Sequence, residues 1–291
     1  TTVDIVPVDF VADALEALVK LLRERQAYDE AMLLLSTSTV RDGKLVDLEA
    51  ELRAAMRSLD VERLQHEGRL EEALRLLDPM VAQTPTDVRL LKLRGDLLSQ
   101  SQRFVEAAEA YSLARSMDPV GDPWLVLGEV NALLALQQPE EARALLETLP
   151  QTGPALPDIL AAERAVRRAE AARLATSGRD AEALLMYKAI LEGAPDDAYA
   201  AAGLAELYAS RGQLGPALAF MDQATKGDQR DAGLRRRRVA LLIQAGQLNQ
   251  AQAEAGALVA SDPSPANLSL AREVERRRAV ERASAAAAAG D

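Results

Sequence analysis

The sequence contains no cysteine, a single histidine and few aromatic residues (3%). A chain without cysteine forms no disulfide, has no thiol nucleophile and offers no thiolate to a metal ion. His66 has no second histidine with which to share a metal, and no carboxylate-rich loop has calcium-site spacing. Phosphate-binding glycine loops and nucleophile elbows are also missing. These absences predict a protein that is not an enzyme and that needs no cofactor.

Long apolar runs are missing too, so the sequence predicts no transmembrane segment in this chain. The chain starts at Thr1 without a basic-then-apolar leader, which indicates a processed protein or an excised fragment. Its net charge of −11 argues against nucleic acid as a partner, because nucleic-acid binding needs a basic face. The charge is uneven, since residues 232–291 carry nine arginines against six acidic residues.

Hydrophobic residues make up 48% of the chain. With so few aromatics, the core must be built from alanine, leucine and valine. Alanine and leucine are the strongest helix formers, and no run of alternating β-branched residues competes with them. The composition therefore predicts an all-α protein.

One pattern returns along the chain with a period of 34 residues. Gly178, Gly212 and Gly246 are each followed, five residues later, by an alanine. A fixed period of this size is the signature of stacked helical repeats. We find seven copies in all, centred on Ala31, Ala73, Ala107, Ala142, Ala183, Ala217 and Ala251.

Physical chemistry explains the recurring residues. The alanine lies at the centre of the second helix of each copy and lets that helix approach its partner closely. The glycine permits a tight reversal between the helices, because it tolerates a positive φ. A proline closes several copies, where it ends the second helix.

The third copy resembles the tetratricopeptide repeat (TPR), with matches at Gly95, Phe104, Ala107, Tyr111, Ala114 and Pro119. The resemblance covers about residues 12–265 and implies a right-handed α-solenoid of about seven helix-turn-helix repeats. Residues 1–11 are then an N-terminal extension. Residues 266–291 are expected to form a capping helix with an alanine-rich tail, because the last repeat of a solenoid needs a cover. In that cap, the side chains expected to pack inward are those of Leu268, Leu270, Val274 and Val280.

Two spacings break the period, and each insertion precedes a long helical pattern. We expect long helices at 44–66 and 158–177. Each long helix is either a spacer that changes the direction of the stacked repeats or a ridge on which a partner docks.

The TPR resemblance implies a concave groove that binds a peptide or a partner helix. The residues matching groove positions are Arg89, Lys92, Asp96, Arg168, Tyr199, Glu206, Arg236 and Gln244. Ordinary solvated polar surface is the alternative for each of them. The stretch "LRRRR" at 234–238 spreads four arginines around the circumference of a helix. Arg235 and Arg238 should turn towards adjoining helices. Arg237 therefore joins Arg236 as a groove candidate. A structural role and an anion contact both remain open for this cluster.

These features predict a non-enzymatic protein–protein interaction scaffold. The stretch from 145 to 251 has a short Leu149–Pro150 stop, a long helix rich in alanine and arginine, and an Arg-Arg-Val-Ala start to a later repeat at Arg237–Ala240. In these features it resembles the periplasmic TPR region of cellulose synthase operon protein C and related exopolysaccharide secretion proteins. That resemblance implies a periplasmic location and a role in cellulose secretion. The alternatives are a cytoplasmic adaptor or regulator and, more weakly, direct binding of an anionic or carbohydrate polymer. Polysaccharide contact should be weak or absent, because so few aromatics are available for stacking on sugars.

Overall fold

Fifteen α-helices make up most of the computed structural model, which describes residues 8–25, 27–38, 43–118 and 120–290. No strand occurs in these ranges. The all-α prediction is confirmed. In chain order the helices are α1 (Val8–Glu24), α2 (Tyr28–Thr37), α3 (Gly43–His66), α4 (Leu70–Gln83), α5 (Val88–Gln100), α6 (Phe104–Met117), α7 (Pro123–Ala135), α8 (Pro139–Leu146), α9 (Leu156–Thr176), α10 (Asp180–Gly193), α11 (Ala198–Ser210), α12 (Leu214–Gly227), α13 (Ala232–Gln244), α14 (Leu248–Ser261) and α15 (Pro265–Ala289).

The helices follow one another as seven pairs and a final single helix, α15. The second helix of each pair carries an alanine whose side chain is completely buried. These alanines are Ala31, Ala73, Ala107, Ala142, Ala183, Ala217 and Ala251, each with 0% exposure. Where both helices of a pair lie in the same compact unit, a larger side chain at such a position would force them apart.

The turn inside most pairs contains a residue with positive φ. Gly178, Gly212 and Gly246 have φ values of 78°, 73° and 71°. In the third and fourth pairs, Gln102 and Gln137 take the left-handed conformation instead, with φ values of 60° and 61°. The same reversal is therefore made without glycine at two places, at a conformational cost.

An aspartate begins four of the first helices. Asp87, Asp122, Asp197 and Asp231 precede α5, α7, α11 and α13, and each accepts a hydrogen bond from a backbone N–H of the first turn. This N-cap satisfies a donor that would otherwise have no partner in the helix.

The chain divides after Leu136 into two compact units. Unit 1 contains α1–α7 and has two cores, which share helix α3. Leu48 and Leu52, from the first half of α3, pack with α1 and α2, whereas Val61 and Leu64 pack with α4–α7. The 24-residue length of α3 therefore joins two cores within this unit.

Unit 2 contains α8–α15, and its long helix α9 packs against α8 and α10. Ile159 and Val166 are buried on the first half of α9, and Ala171 belongs to a core with α10 and α11. Both long helices expected from the sequence are therefore present, and both are buried along much of their length.

The two ends of the array differ from expectation. Helix α1 begins at Val8, inside the predicted extension of residues 1–11, and residues 1–7 lie outside the described part. Helix α15 covers the predicted cap, and Val274 is fully buried there. The prediction for Val280 is wrong, because its side chain is 60% exposed. Packing of α15 ends near Val274, since almost all later positions with described side chains are exposed.

Candidate functional site

A depression of unit 1 lies between α3, the end of α4 and the start of α5. We call it the unit-1 groove; its volume is about 840 Å³. Its lining includes the predicted candidates Arg89, Lys92 and Asp96, together with Arg57 and Leu59 of α3. The structure thus places the three unit-1 candidates in one groove.

The three predicted residues differ in how firmly they are held. The Arg89 side chain is 91% exposed and reaches only Asp87 of its own helix cap, at 3.5 Å. Lys92 makes no hydrogen bond or ion pair within the described ranges. Asp96, in contrast, accepts a 2.5 Å hydrogen bond from the hydroxyl of Tyr111. Arg89 and Lys92 are therefore available to a partner, and Asp96 is engaged in the fold.

Burial of the Tyr111 ring and its bond to Asp96 raise the pKa of the tyrosine hydroxyl well above its usual range. The hydroxyl stays protonated and continues to donate at any physiological pH. Asp96 is thereby fixed beside the ring of a core residue. It can shape the groove without being free to turn towards a ligand.

Helix α3 supplies two groove residues that the sequence interpretation missed. Arg57 is exposed and has no ion pair or hydrogen bond within the described ranges. Leu59 exposes 44% of its surface on the same helix. The only available signal was the alternative that the long helix at 44–66 is a docking ridge. Beside these residues, Glu51 is paired with Arg23 at 2.8 Å.

In unit 2 the candidate residues link consecutive first helices. The guanidinium of Arg168, on α9, donates to Oδ2 of Asp197 at 2.5 Å, while Oδ1 of Asp197 caps α11. The same guanidinium lies over the ring of Tyr199, 5.6 Å from its centroid. Cation–π and ion-pair contacts therefore hold Arg168 against α11.

The link continues from α11 to α13. The hydroxyl of Tyr199 donates a 2.7 Å hydrogen bond to Oδ2 of Asp231, whose Oδ1 caps α13. This bond is the leading cause of a lowered pKa for Asp231, and it raises the pKa of Tyr199. Asp197 and Asp231 thus each cap one helix with one oxygen and bind the preceding first helix with the other.

Three further candidates share a smaller depression between α11 and α13. Glu206, Arg237 and Gln244 line a space of about 340 Å³. Nη1 of Arg237 and Oε1 of Glu206 lie 3.1 Å apart. Burial, followed by the nearby Glu206 carboxylate, raises the pKa of Tyr187 to about 12. The side chain of Gln244 makes no hydrogen bond within the described ranges.

The arginines of 235–238 have separate roles. Nη1 of Arg236 donates to Oδ1 of the fully buried Asn267, at 3.4 Å, which ties α13 to the capping helix. Arg238 binds Asp222 of α12 and Glu254 of α14, so it does turn towards adjoining helices. For Arg236 and Arg238 these contacts give a structural role, and the four side chains do not converge on one site.

Metal binding has no evident location in the described ranges, where no three His, Asp or Glu side chains are close enough to hold an ion. Nor does any helix in those ranges have both the length and the apolar character of a membrane span.

Paired helices with buried alanines at their crossings define a helical-repeat protein. A family model described as tetratricopeptide repeat matches residues 98–166 and 174–235. Over these residues the chain thus matches the tetratricopeptide repeat family. Proteins of this family are generally protein-interaction scaffolds.

Solved structures of low sequence identity have the same fold. A tetratricopeptide repeat protein from Parabacteroides merdae matches with a TM-score of 0.56 at 13% identity, covering 90% of this chain and 98% of that one. The assembly chaperone of RpL4 (Acl4) gives 0.53 at 16% identity, covering 79% and 98% of the two chains. The type IV pilus biogenesis factor PilW gives 0.52 at 16%, covering 74% and 97%. The sequence matches no curated protein significantly. The resemblance to cellulose synthase operon protein C is not supported by these comparisons.

Proposed function

We propose that this chain is a non-enzymatic scaffold that holds a segment of a partner protein in the unit-1 groove. The observation that carries the proposal is the presence of three cations, Arg57, Arg89 and Lys92, in one groove beside an exposed leucine. Two of them have no ion pair within the described ranges, and the 91% exposed Arg89 contacts its own helix cap at 3.5 Å. A space of about 840 Å³ lies within the range of sites that enclose a ligand. The candidate cations Arg168, Arg236 and Arg237 in unit 2 are already bound to neighbouring helices.

The charges of the groove favour a segment that carries carboxylates. Glu62 also lines the groove without a partner within the described ranges. The bound segment of the partner can therefore carry one basic residue among its acidic residues. Leu59 and the half-buried Leu93 offer an apolar surface between the charges. A central apolar contact with charged residues around it is the usual anatomy of a protein interface.

Photo-crosslinking tests the location of this site. A photoreactive amino acid at Leu59 should trap a partner in cells. The same amino acid at Leu33 should not, because Leu33 is also exposed (64%) in unit 1 but does not line the groove. Equal trapping from both positions, or trapping from Leu33 alone, would contradict the proposed site.

Two narrower roles are proposed for the scaffold, and they differ in cellular location. The first is a periplasmic part in exopolysaccharide secretion, and the second is a cytoplasmic adaptor or regulator. Fractionation of cells that express the full-length gene separates them. A periplasmic product, with secretion of the polymer lost when the gene is deleted, supports the first role, whereas a cytoplasmic product supports the second.

Direct polymer binding is the weaker alternative, and we propose that any such contact is weak or absent. Of the three tyrosines named above, Tyr111 and Tyr187 are buried, and Arg168 lies over the ring of the 49% exposed Tyr199. Together with the 43% exposed Trp124, this is little aromatic surface for a sugar. Retention of the purified chain on a cellulose column would contradict this proposal.

A further inference from the structure

The second helix of the fourth pair is unusually short. Helix α8 ends at Leu146 after 8 residues, whereas α10 runs for 14. With Ala142 in register with Ala183, α8 stops at the position equivalent to Tyr187. The last turns of α10 thus have no counterpart in α8. Residues 147–155 instead turn irregularly before α9 begins.

Two depressions of unit 2 lie around this short helix, and both are lined by Arg143 and Arg167. The larger, of about 490 Å³, is also lined by Leu185, Met186 and Ile190 of α10. We call it the α8–α10 groove. The smaller, of about 160 Å³, lies between α8 and α9.

The floor of the α8–α10 groove is apolar and partly open. Ile190 is buried and Met186 is half-buried, but Leu185 exposes 67% of its surface in the middle of a helix. An exposed apolar patch with a polar rim is a common mark of an interaction surface.

The rim has an excess of positive charge. Arg143 is paired with Glu170, and Glu182 is held by the guanidinium of Arg179 at 2.5 and 2.7 Å. The exposed Arg167 has no ion pair or hydrogen bond within the described ranges. Arg143 and Glu182 are thus neutralised by their partners, whereas the guanidinium of Arg167 lies beside the apolar floor without an ion pair in the described ranges.

We propose that the α8–α10 groove docks a short segment of a second protein in which a large apolar side chain lies beside a carboxylate. The apolar side chain covers Leu185 and Met186, and the carboxylate pairs with Arg167. Burial of apolar surface gives the affinity, and the charge pair selects acidic segments. This site differs from the unit-1 groove, so the scaffold holds a second partner through unit 2.

A phage-displayed library of random short peptides tests the proposal. The library is selected on the full chain, and phage that also bind the Leu185→Glu variant are removed. The remaining peptides should share a large apolar residue next to Asp or Glu. Their soluble forms should bind the Arg167→Glu variant at least about tenfold more weakly, as expected when an ion pair becomes a repulsion. Circular dichroism and melting temperature confirm that the variants are folded.

The Leu33→Glu variant is the matched control, because Leu33 is equally exposed outside this groove and should leave binding unchanged. Three outcomes overturn the proposal. The first is a selection that yields no peptide sensitive to Leu185→Glu. The second is a set of peptides without acidic residues and indifferent to Arg167→Glu. The third is self-association of the chain, measured by light scattering, that Leu185→Glu abolishes, since the occupant is then a second copy.

Discussion

The hydroxyl of Tyr199 lies 2.7 Å from Oδ2 of Asp231, and this bond joins the start of α11 to the start of α13. The other carboxylate oxygen of Asp231 caps α13. One residue therefore both begins a helix and fixes the position of the preceding first helix. Asp197 does the same for α11 and Arg168.

This double role predicts a pH-dependent contribution to stability. The Tyr199 hydroxyl holds the pKa of Asp231 below its usual value of about 3.9. A carboxyl group whose pKa is lowered in the folded state stabilises the fold above that value and loses its effect as the pH falls through the folded-state pKa.

Because Asn caps a helix about as well as Asp, Asp231→Asn removes mainly the charge. We expect it to lower the free energy of unfolding at pH 7 and to have a much smaller effect once the pH has fallen below the lowered folded-state pKa of Asp231. Urea titrations of both proteins at several pH values measure this difference. An effect that grows as the pH falls would show that the carboxylate does not stabilise the fold.

The ring of Tyr111 fills the space that two glycines leave. A Cβ at Gly128 would lie 2.5 Å from Cε1 of that ring, and one at Gly95 would lie 2.8 Å away. Gly128→Ala should therefore lower the free energy of unfolding by about 1–3 kcal/mol through overpacking. Gly256→Ala is the control, since a Cβ there meets no atom within 4 Å, and it should stabilise α14. Thermal melts that rank the two variants in the opposite order would refute this view of the packing.

The buried alanines set the distance between paired helices. Ala217→Leu should destabilise the protein by about 1–3 kcal/mol, because the side chain is fully buried on α12. Ala219→Leu lies on the same helix at an exposed position and should have little effect. Equal melting temperatures for the two variants would place Ala217 away from the helix crossing.

Gln102 adopts a backbone conformation that costs an L-residue energy. Its φ of 60° lies in the left-handed region, where four of the other pairs have glycine in the same turn. Gln102→Gly should raise the free energy of unfolding by about 0.5–1 kcal/mol. Gly212→Ala, at a φ of 73°, should change it in the opposite direction. Destabilisation by Gln102→Gly would mean that the glutamine side chain contributes more than the backbone strain costs.

The sequence predicted the fold well because the fold depends on local, repeated features. The alanine period identified the second helices, and the length of α3 followed from an uninterrupted helical pattern. The exposure of Val280 was missed because the spacing of apolar residues along the capping helix does not show how far the neighbouring helices extend beside it. The short length of α8 was missed for a similar reason, since Pro139 marks where the helix begins but no residue of the pattern marks its end at Leu146.

The candidate site was harder to predict because matching a family position does not reveal whether a side chain is free. Arg168 and Lys92 both match groove positions of the repeat pattern, but Arg168 has Asp197 as a neighbour from the next repeat. Such pairs depend on contacts about 30 residues apart that a single pattern does not contain. Arg57 was missed because α3 departs from the 34-residue period.

The most direct test of the proposed scaffold measures the affinity of the partner trapped from Leu59 for a triple variant, Arg57→Glu, Arg89→Glu and Lys92→Glu, by isothermal titration calorimetry. The matched control reverses three exposed side chains outside the groove that have no ion pair within the described ranges, Lys226, Arg230 and Arg272. Both variants should melt like the parent protein. We predict that the groove variant binds at least about tenfold more weakly and with a flatter salt dependence, while the control keeps the parental affinity. Equal affinity of the two variants would contradict the proposal that the unit-1 groove holds the partner.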